Sequence, residues 1–184
     1  MKYAHICMDM QLYIVACNIK WSKHEKWKYL ILHPGKMHTL MSCLGCIGTL
    51  MKASGMEKVL SSTFGCLTSI MNGKAWPQAL RAWRMLTWAL LSDFLKEGPK
   101  SSAEINVYLE KAREHPTGKL WVDCLIRPTM IAHHFLRGEC ESDLLLHEHS
   151  LVEMIPYFFS ASHHNYARYI TFYLQETKAM SPKV

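Results

Sequence analysis

Nothing in the chain comes near the roughly 18 consecutive apolar residues that a membrane-spanning helix needs. The nearest run, Met37 to Met51, is too short and is interrupted by His, Ser, Thr, Gly and Cys. The amino-terminal MKYAHICMDM offers one lysine and then mixed residues, without the apolar core of a secretory signal. No Lys/Arg run reaches four, so neither a basic tail nor a clear nuclear signal is written into the sequence. Internal repeats, low-complexity tracts and linker-like stretches are missing too. These absences predict an intracellular protein, nuclear or cytoplasmic, with no membrane partner.

What is present is a globular composition, 49% hydrophobic and 20% charged over 184 residues. That suffices for one core without disulfide or metal staples. The seven cysteines are an odd number scattered through apolar stretches, and they read as small buried hydrophobes of a reducing compartment. A formal net charge of +6 permits contact with nucleic acid or acidic surfaces without requiring it.

The chain opens on a β-α-β pattern. Residues 3–8 read as one strand and Lys28 to His33 as another. Between them Met10 to Ile19 has helical spacing, with Asp9 as N-cap and an inward stripe of Leu12, Val15, Ala16 and Ile19. Such a unit predicts a right-handed crossover and parallel strands. Pro34-Gly35 ends the second strand, and the stripe Met37, Leu40, Met41, Leu44, Ile47, Gly48 and Met51 predicts a helix closed by Gly55. Everything further reads helical. Met56–Met71 is followed by Trp76–Leu95, with Pro77 in its first turn and Gly98-Pro99 as its stop. Ser101–Glu114 opens on the capping-box string Ser-Ser-Ala-Glu. Then come Lys119–Arg137, kinked at Pro128, a segment Ser142–Phe159 interrupted at Pro156, and His164–Met180. The expected fold is mainly α, with a β-α-β-α unit over 1–55 and a helical domain over 56–184. Parallel strands are normally buried within larger sheets, and a two-stranded sheet is marginal alone. The strand pair therefore predicts a truncated sheet edge belonging to a larger domain, with exposed apolar surface that favours self-association.

Several constellations are candidates for chemistry. Cys43-x-x-Cys46 has the spacing of half a zinc site, which needs four converging ligands. It lies two turns inside an apolar helix, where packing is the simpler role. Asp9 and His38 each follow a strand, the place where open α/β sheets put their working residues. Asp9 there suits either a divalent cation or the helix cap. Trp76, Arg81, Trp83, Arg84 and Trp88 mix cations with aromatics on one helix, as single-strand nucleic-acid binding or inward packing would. The cluster His163-His164-Asn165-Tyr166-Ala167-Arg168-Tyr169 suits a buried polar network or a ligand contact. Lys36, Arg81, Arg84 and Arg168 are the cations expected on a nucleic-acid surface.

The strings "LHPGKMHTLMSCLGCIGTLMKASG", "REHPTGKLWVDCLIRPTM" and "MIPYFFSASHHNYARYITFYL" resemble, in this order, segments of large transposon-derived animal proteins allied to the DUF6589-type families. A looser similarity is to Mutator-like transposases, whose RNase H-like core runs Asp, helix, strand, Cys or His, helix, and then a helical insertion. That resemblance implies Asp9 as the second of three metal-binding acids, His38 as a vestigial site residue, Mg2+ as cofactor and the helical region as an insertion domain. It also implies inactivity, because two-metal phosphoryl transfer needs several converging carboxylates and one aspartate is not enough. The expected residual role is DNA or protein binding with no cofactor as the chain stands. The alternatives are a zinc-stabilised helical domain using Cys43 and Cys46, and a helical protein-interaction module without nucleic acid.

Overall fold

Strands β1 (Ala4–Met8) and β2 (Leu30–Pro34) pair in parallel, Ala4 opposite Leu30 and Met8 opposite Pro34, in a computed structural model that describes residues 3–96, 98 and 100–180. Helix α1 (Met10–Ser22) and the single turn α2 (His24–Trp27) connect them. Asp9 caps α1 as its position predicts, its carboxylate accepting the Leu12 N–H at 3.0 Å.

The face that α1 buries is not the aliphatic one. Met10, Tyr13, Cys17 and Lys20 are buried, while Leu12, Val15 and Ile19 stay 58%, 54% and 50% exposed. The reason is tertiary. Helix α11 (His164–Met180) presents aromatic and acidic side chains, and the buried face of α1 answers them. Tyr13 meets Tyr169 edge-on at 6.2 Å, Trp21 stacks on Tyr169 at 6.3 Å, and Lys20 Nζ donates to both Glu176 oxygens at 3.1 and 3.2 Å.

Helix α3 (Lys36–Leu50) runs through the centre of the fold, against α5 (Leu67–Met71), α6 (Trp76–Leu95), α9 (Arg127–Glu141) and α10 (Leu144–Ser160). The predicted helix 56–71 is two pieces, α4 (Met56–Ser61) and α5, because Ser62-Thr63-Phe64-Gly65 is a poor helix former. Gly55, at φ +88°, opens α4 instead of closing α3. Helix α6 has its expected bounds; Gly98 beyond it sits at φ +112°, while Pro99 lies outside the described residues. Both halves of the Ser101–Glu104 capping box form at the start of α7 (Ser102–Arg113).

Neither interior proline breaks its helix. Helix α8 (Pro116–Trp121) passes through a π turn, Val122–Ile126, directly into α9. Arg127 N–H donates to the Val122 carbonyl five residues back, and the widened turn accommodates the ring of Pro128 that an ordinary turn would clash with. Pro156 stays inside α10, where the carbonyl it deprives belongs to solvent-exposed Val152. The principal core joins α1, β2, α3, α6, α9, α10 and α11, with Trp83, Tyr13, Phe135 and Phe158 as its largest buried side chains. Leu91, Leu109, Val122 and Ile126 form a smaller cluster under α7. Among the described residues no helix is long and apolar enough to cross a membrane.

Candidate functional site

The two strands end side by side, and the turns that follow them deliver Asp9 and His38 to one cleft. Gly35 makes this approach possible. A Cβ there would meet the Met8 carbonyl oxygen at 3.0 Å and His38 Nδ1 at 3.3 Å, although its φ of −62° is ordinary. The third contribution comes from the α10–α11 turn. Ser162 N–H donates to Phe159 O and His163 N–H to Phe158 O at 2.7 Å, a Schellman closure of α10 with Ser162 at φ +62° where glycine is usual. That turn swings His163, His164, Asn165 and Tyr166 against the strand ends. Together with Asp9, Gln11 and His38 they line a cleft of about 480 Å3.

His163 is the best-positioned side chain in it. Its Nδ1 lies 2.5 Å from Ser42 Oγ, its ring stacks on Phe158, and the Ser42 hydroxyl sits beneath the cleft rather than in its lining. Burial, with His164 beside it, holds the His163 imidazole below its usual range. A neutral ring with its Nδ1 engaged by Ser42 leaves Nε2 as the nitrogen free for a ligand. Burial, and secondarily the charge of Asp9, pushes the Tyr166 phenol up.

Among the described residues no three His, Cys, Asp or Glu side chains are placed to hold a metal ion. Asp9 is the one carboxylate in the cleft lining and is already spent in part on the α1 cap, so the residues present do not fit a Mg2+ centre. Cys43 and Cys46 do not fit zinc. Both are buried inside α3, where burial pushes their thiols up, and among the described residues no third His, Cys, Asp or Glu joins them as a ligand.

The other predicted residues lie elsewhere. Lys36 is paired with Glu139 of α9, which also lies 2.5 Å from His147 Nδ1 without hydrogen-bond alignment. Beside them His33 Nδ1 meets the Tyr173 hydroxyl at 3.2 Å and stacks on His5. Arg81 and Arg84 are exposed on α6, Arg84 edging a second, apolar cleft of about 660 Å3 with Trp88 and His133. Arg168 is exposed on α11, its guanidinium over the Tyr169 and Phe172 rings at 5.6 and 5.8 Å. The four cations thus occupy three helices, and none of them lines the strand-end cleft. Sequence reasoning missed Ser42, Gln11 and Glu139; for Ser42 the only signal was a polar side chain on an otherwise apolar helix face.

Four buried or half-buried imidazoles carry a pH prediction. His33, His133, His147 and His163 are each held low, in every case chiefly by burial; Glu139 opposes this at His147 but more weakly. The folded chain therefore binds fewer protons than the unfolded chain once pH falls below about 6.5. Linkage makes stability fall on acidification, by at most about 1.4 kcal/mol per pH unit for each such histidine. Denaturant unfolding at about pH 7.5 and about pH 5.5 checks this, with a lower midpoint expected at the acid end.

The chain matches the family model described as "Domain of unknown function (DUF8702)" over residues 1–110 and 100–184, and it belongs to that family. No curated protein and no solved structure matches it. This corrects the resemblance drawn from the sequence: the family that matches is DUF8702, and no DUF6589-type or transposase family matches the chain. The roles that resemblance lent to Asp9 and His38, as acid and partner of an RNase H-like centre, lose their basis with it.

Proposed function

We propose that this member of the DUF8702 family is a binding module that seats a phosphate group in the cleft at the strand ends, with nucleic acid as the ligand class. One observation carries the reading. The amino-terminal turns of three long helices, α1, α3 and α11, open on the same cleft as the imidazoles of His38, His163 and His164. Each helix start carries roughly half a positive charge and N–H groups without intrahelical partners. Together they favour an anion. At α3 no side chain caps these donors. His163, kept neutral by burial and oriented by Ser42, offers a hydrogen bond without needing to be charged.

Asp9 modifies the preference. An isolated anion is repelled by its carboxylate, whereas a sugar phosphate meets it with a hydroxyl while the phosphate faces the helix starts. Arg168, one turn beyond His164 on α11, and the net charge of +6 favour a polyanion. Trp88, 61% exposed beside Arg84, is available for base stacking.

Fluorescence anisotropy with a labelled, 5′-phosphorylated single-stranded oligonucleotide tests the proposal. Binding at about 50 mM salt is expected, weakening steeply as salt rises. Ribose 5-phosphate should compete, and a His163→Ala/His164→Ala variant should bind at least about tenfold more weakly, the loss of one or two hydrogen bonds to a charged group. Absence of binding at low salt would sink the nucleic-acid reading; binding indifferent to both ribose 5-phosphate and the double variant would move it away from this cleft.

A further inference from the structure

The outer edge of β1 is unassigned by the phosphate reading and independent of it. In a parallel ladder, alternate residues turn their backbone groups to the same neighbour. Ala4 N–H donates to Tyr29 O at 3.0 Å, so Ala4, Ile6 and Met8 face β2, and the N–H and C=O of His5 and Cys7 face outward. Among the described residues no strand receives them. Proteins guard such edges with lysine, inward charges, proline or a bulge, and Ala4–Met8 has none of these. Four of its five residues are exposed. On the adjoining helix, Leu12, Val15 and Ile19 form an exposed aliphatic stripe spaced i, i+3, i+7, on the face that α1 does not bury.

We infer that the protein forms a two-fold dimer through this edge, β1 pairing antiparallel with β1 of a second copy to give a four-stranded sheet ordered β2-β1-β1-β2, with the α1 stripes flanking the seam. The occupant is identified by its chemistry. It must bring an extended strand with free backbone groups and an aliphatic surface beside it, and a second copy brings both in one body. Charge decides for the copy. In a chain of net charge +6, the described exposed residues of β1 and α1 are all uncharged. Lys20, the one cation within α1, is turned away and bonded to Glu176. A two-fold axis sets a surface against itself, which a charged patch resists and this neutral one does not.

Sedimentation velocity across about 1–100 μM protein reads the assembly directly, over the micromolar affinities typical of modest interfaces. A concentration-dependent monomer–dimer equilibrium is expected. Leu12→Lys/Val15→Lys places charge on two exposed positions without touching the core, and it should weaken the dimer at least about tenfold, by like-charge repulsion across the axis. His5→Pro deletes an outward N–H and spares the backbone ladder with β2, at the cost of the His5 ring's contact with His33, and it should do the same. Val59→Lys, an equally exposed aliphatic on α4, should change nothing. A wild-type protein that is monomeric throughout overturns the inference, as do assemblies beyond a dimer or a dimer indifferent to the Leu12→Lys/Val15→Lys change. Should His5→Pro fail to fold, the α1 variant still decides.

Discussion

Replacing Trp83 by alanine is expected to remove about 3–5 kcal/mol of stability, a large share of the total that holds a domain of this size together. Trp83 is fully buried on α6, and its indole N–H donates to the Leu44 carbonyl of α3 at 3.2 Å. One side chain thus supplies both the packing and the only side-chain hydrogen bond recorded between these two helices among the described residues. Truncation leaves a cavity that the surrounding helices fill only in part. Trp83→Phe separates the two contributions: it keeps most of the ring and loses the donor, and its cost should be nearer 1–2 kcal/mol. Urea unfolding of the three proteins measures both. An alanine variant within 1 kcal/mol of wild type would mean that α6 does not seat on α3 as described.

Gly48→Ala should also cost stability, about 3 kcal/mol or more, in a helix where the same change ordinarily gains about 1 kcal/mol. The opposite signs make this a sharp test. A Cβ on Gly48 would lie 2.0 Å from the Met71 carbonyl oxygen, and one on Gly45 would lie 2.8 Å from that of Asn72. Those oxygens are backbone and cannot swing aside, so α3 and the end of α5 must part. Gly65→Ala, where nothing lies within 4 Å of the new atom, is the matched control and should be neutral or slightly stabilising. If Gly48→Ala raises the denaturation midpoint, the close approach of α3 and α5 is wrong. The same geometry explains why Cys43-x-x-Cys46 stands where it does. With Gly45 and Gly48 the two cysteines make the central helix thin enough to be enclosed on several sides, a role that asks for small apolar side chains and not for thiolates.

Much of the local architecture was legible in the sequence because it is set by local forces. A carboxylate just before a helical stretch finds the free N–H groups of the first turn, so Asp9 caps α1 whatever packs around it. Ser101 and Glu104 close their capping box by the same logic, and Pro77 starts α6 because its fixed φ suits a first turn. The β-α-β order implied parallel strands, because a helical crossover carries the chain back to start the second strand at the same end of the sheet. The positions of Asp9 and His38 at strand ends followed from that order, and both do line the cleft.

What only the tertiary structure decided concerns partners far apart in the chain. An aliphatic stripe says that α1 has an apolar side; the aromatic row and Glu176 of α11 determine that the other side is the one buried. Proline predicts a clash with the preceding turn, but whether the helix breaks or widens into the π turn at Val122–Ile126 depends on the packing that holds both ends in line. Ser42 and His163 are 121 positions apart, and Lys36 meets Glu139 across a similar span. No periodicity records such pairs, because each depends on loop geometry that brings whole helices together. Local hydrogen bonding and sterics wrote the elements into the sequence, whereas the choice of faces, and with it the cleft, came from long-range packing.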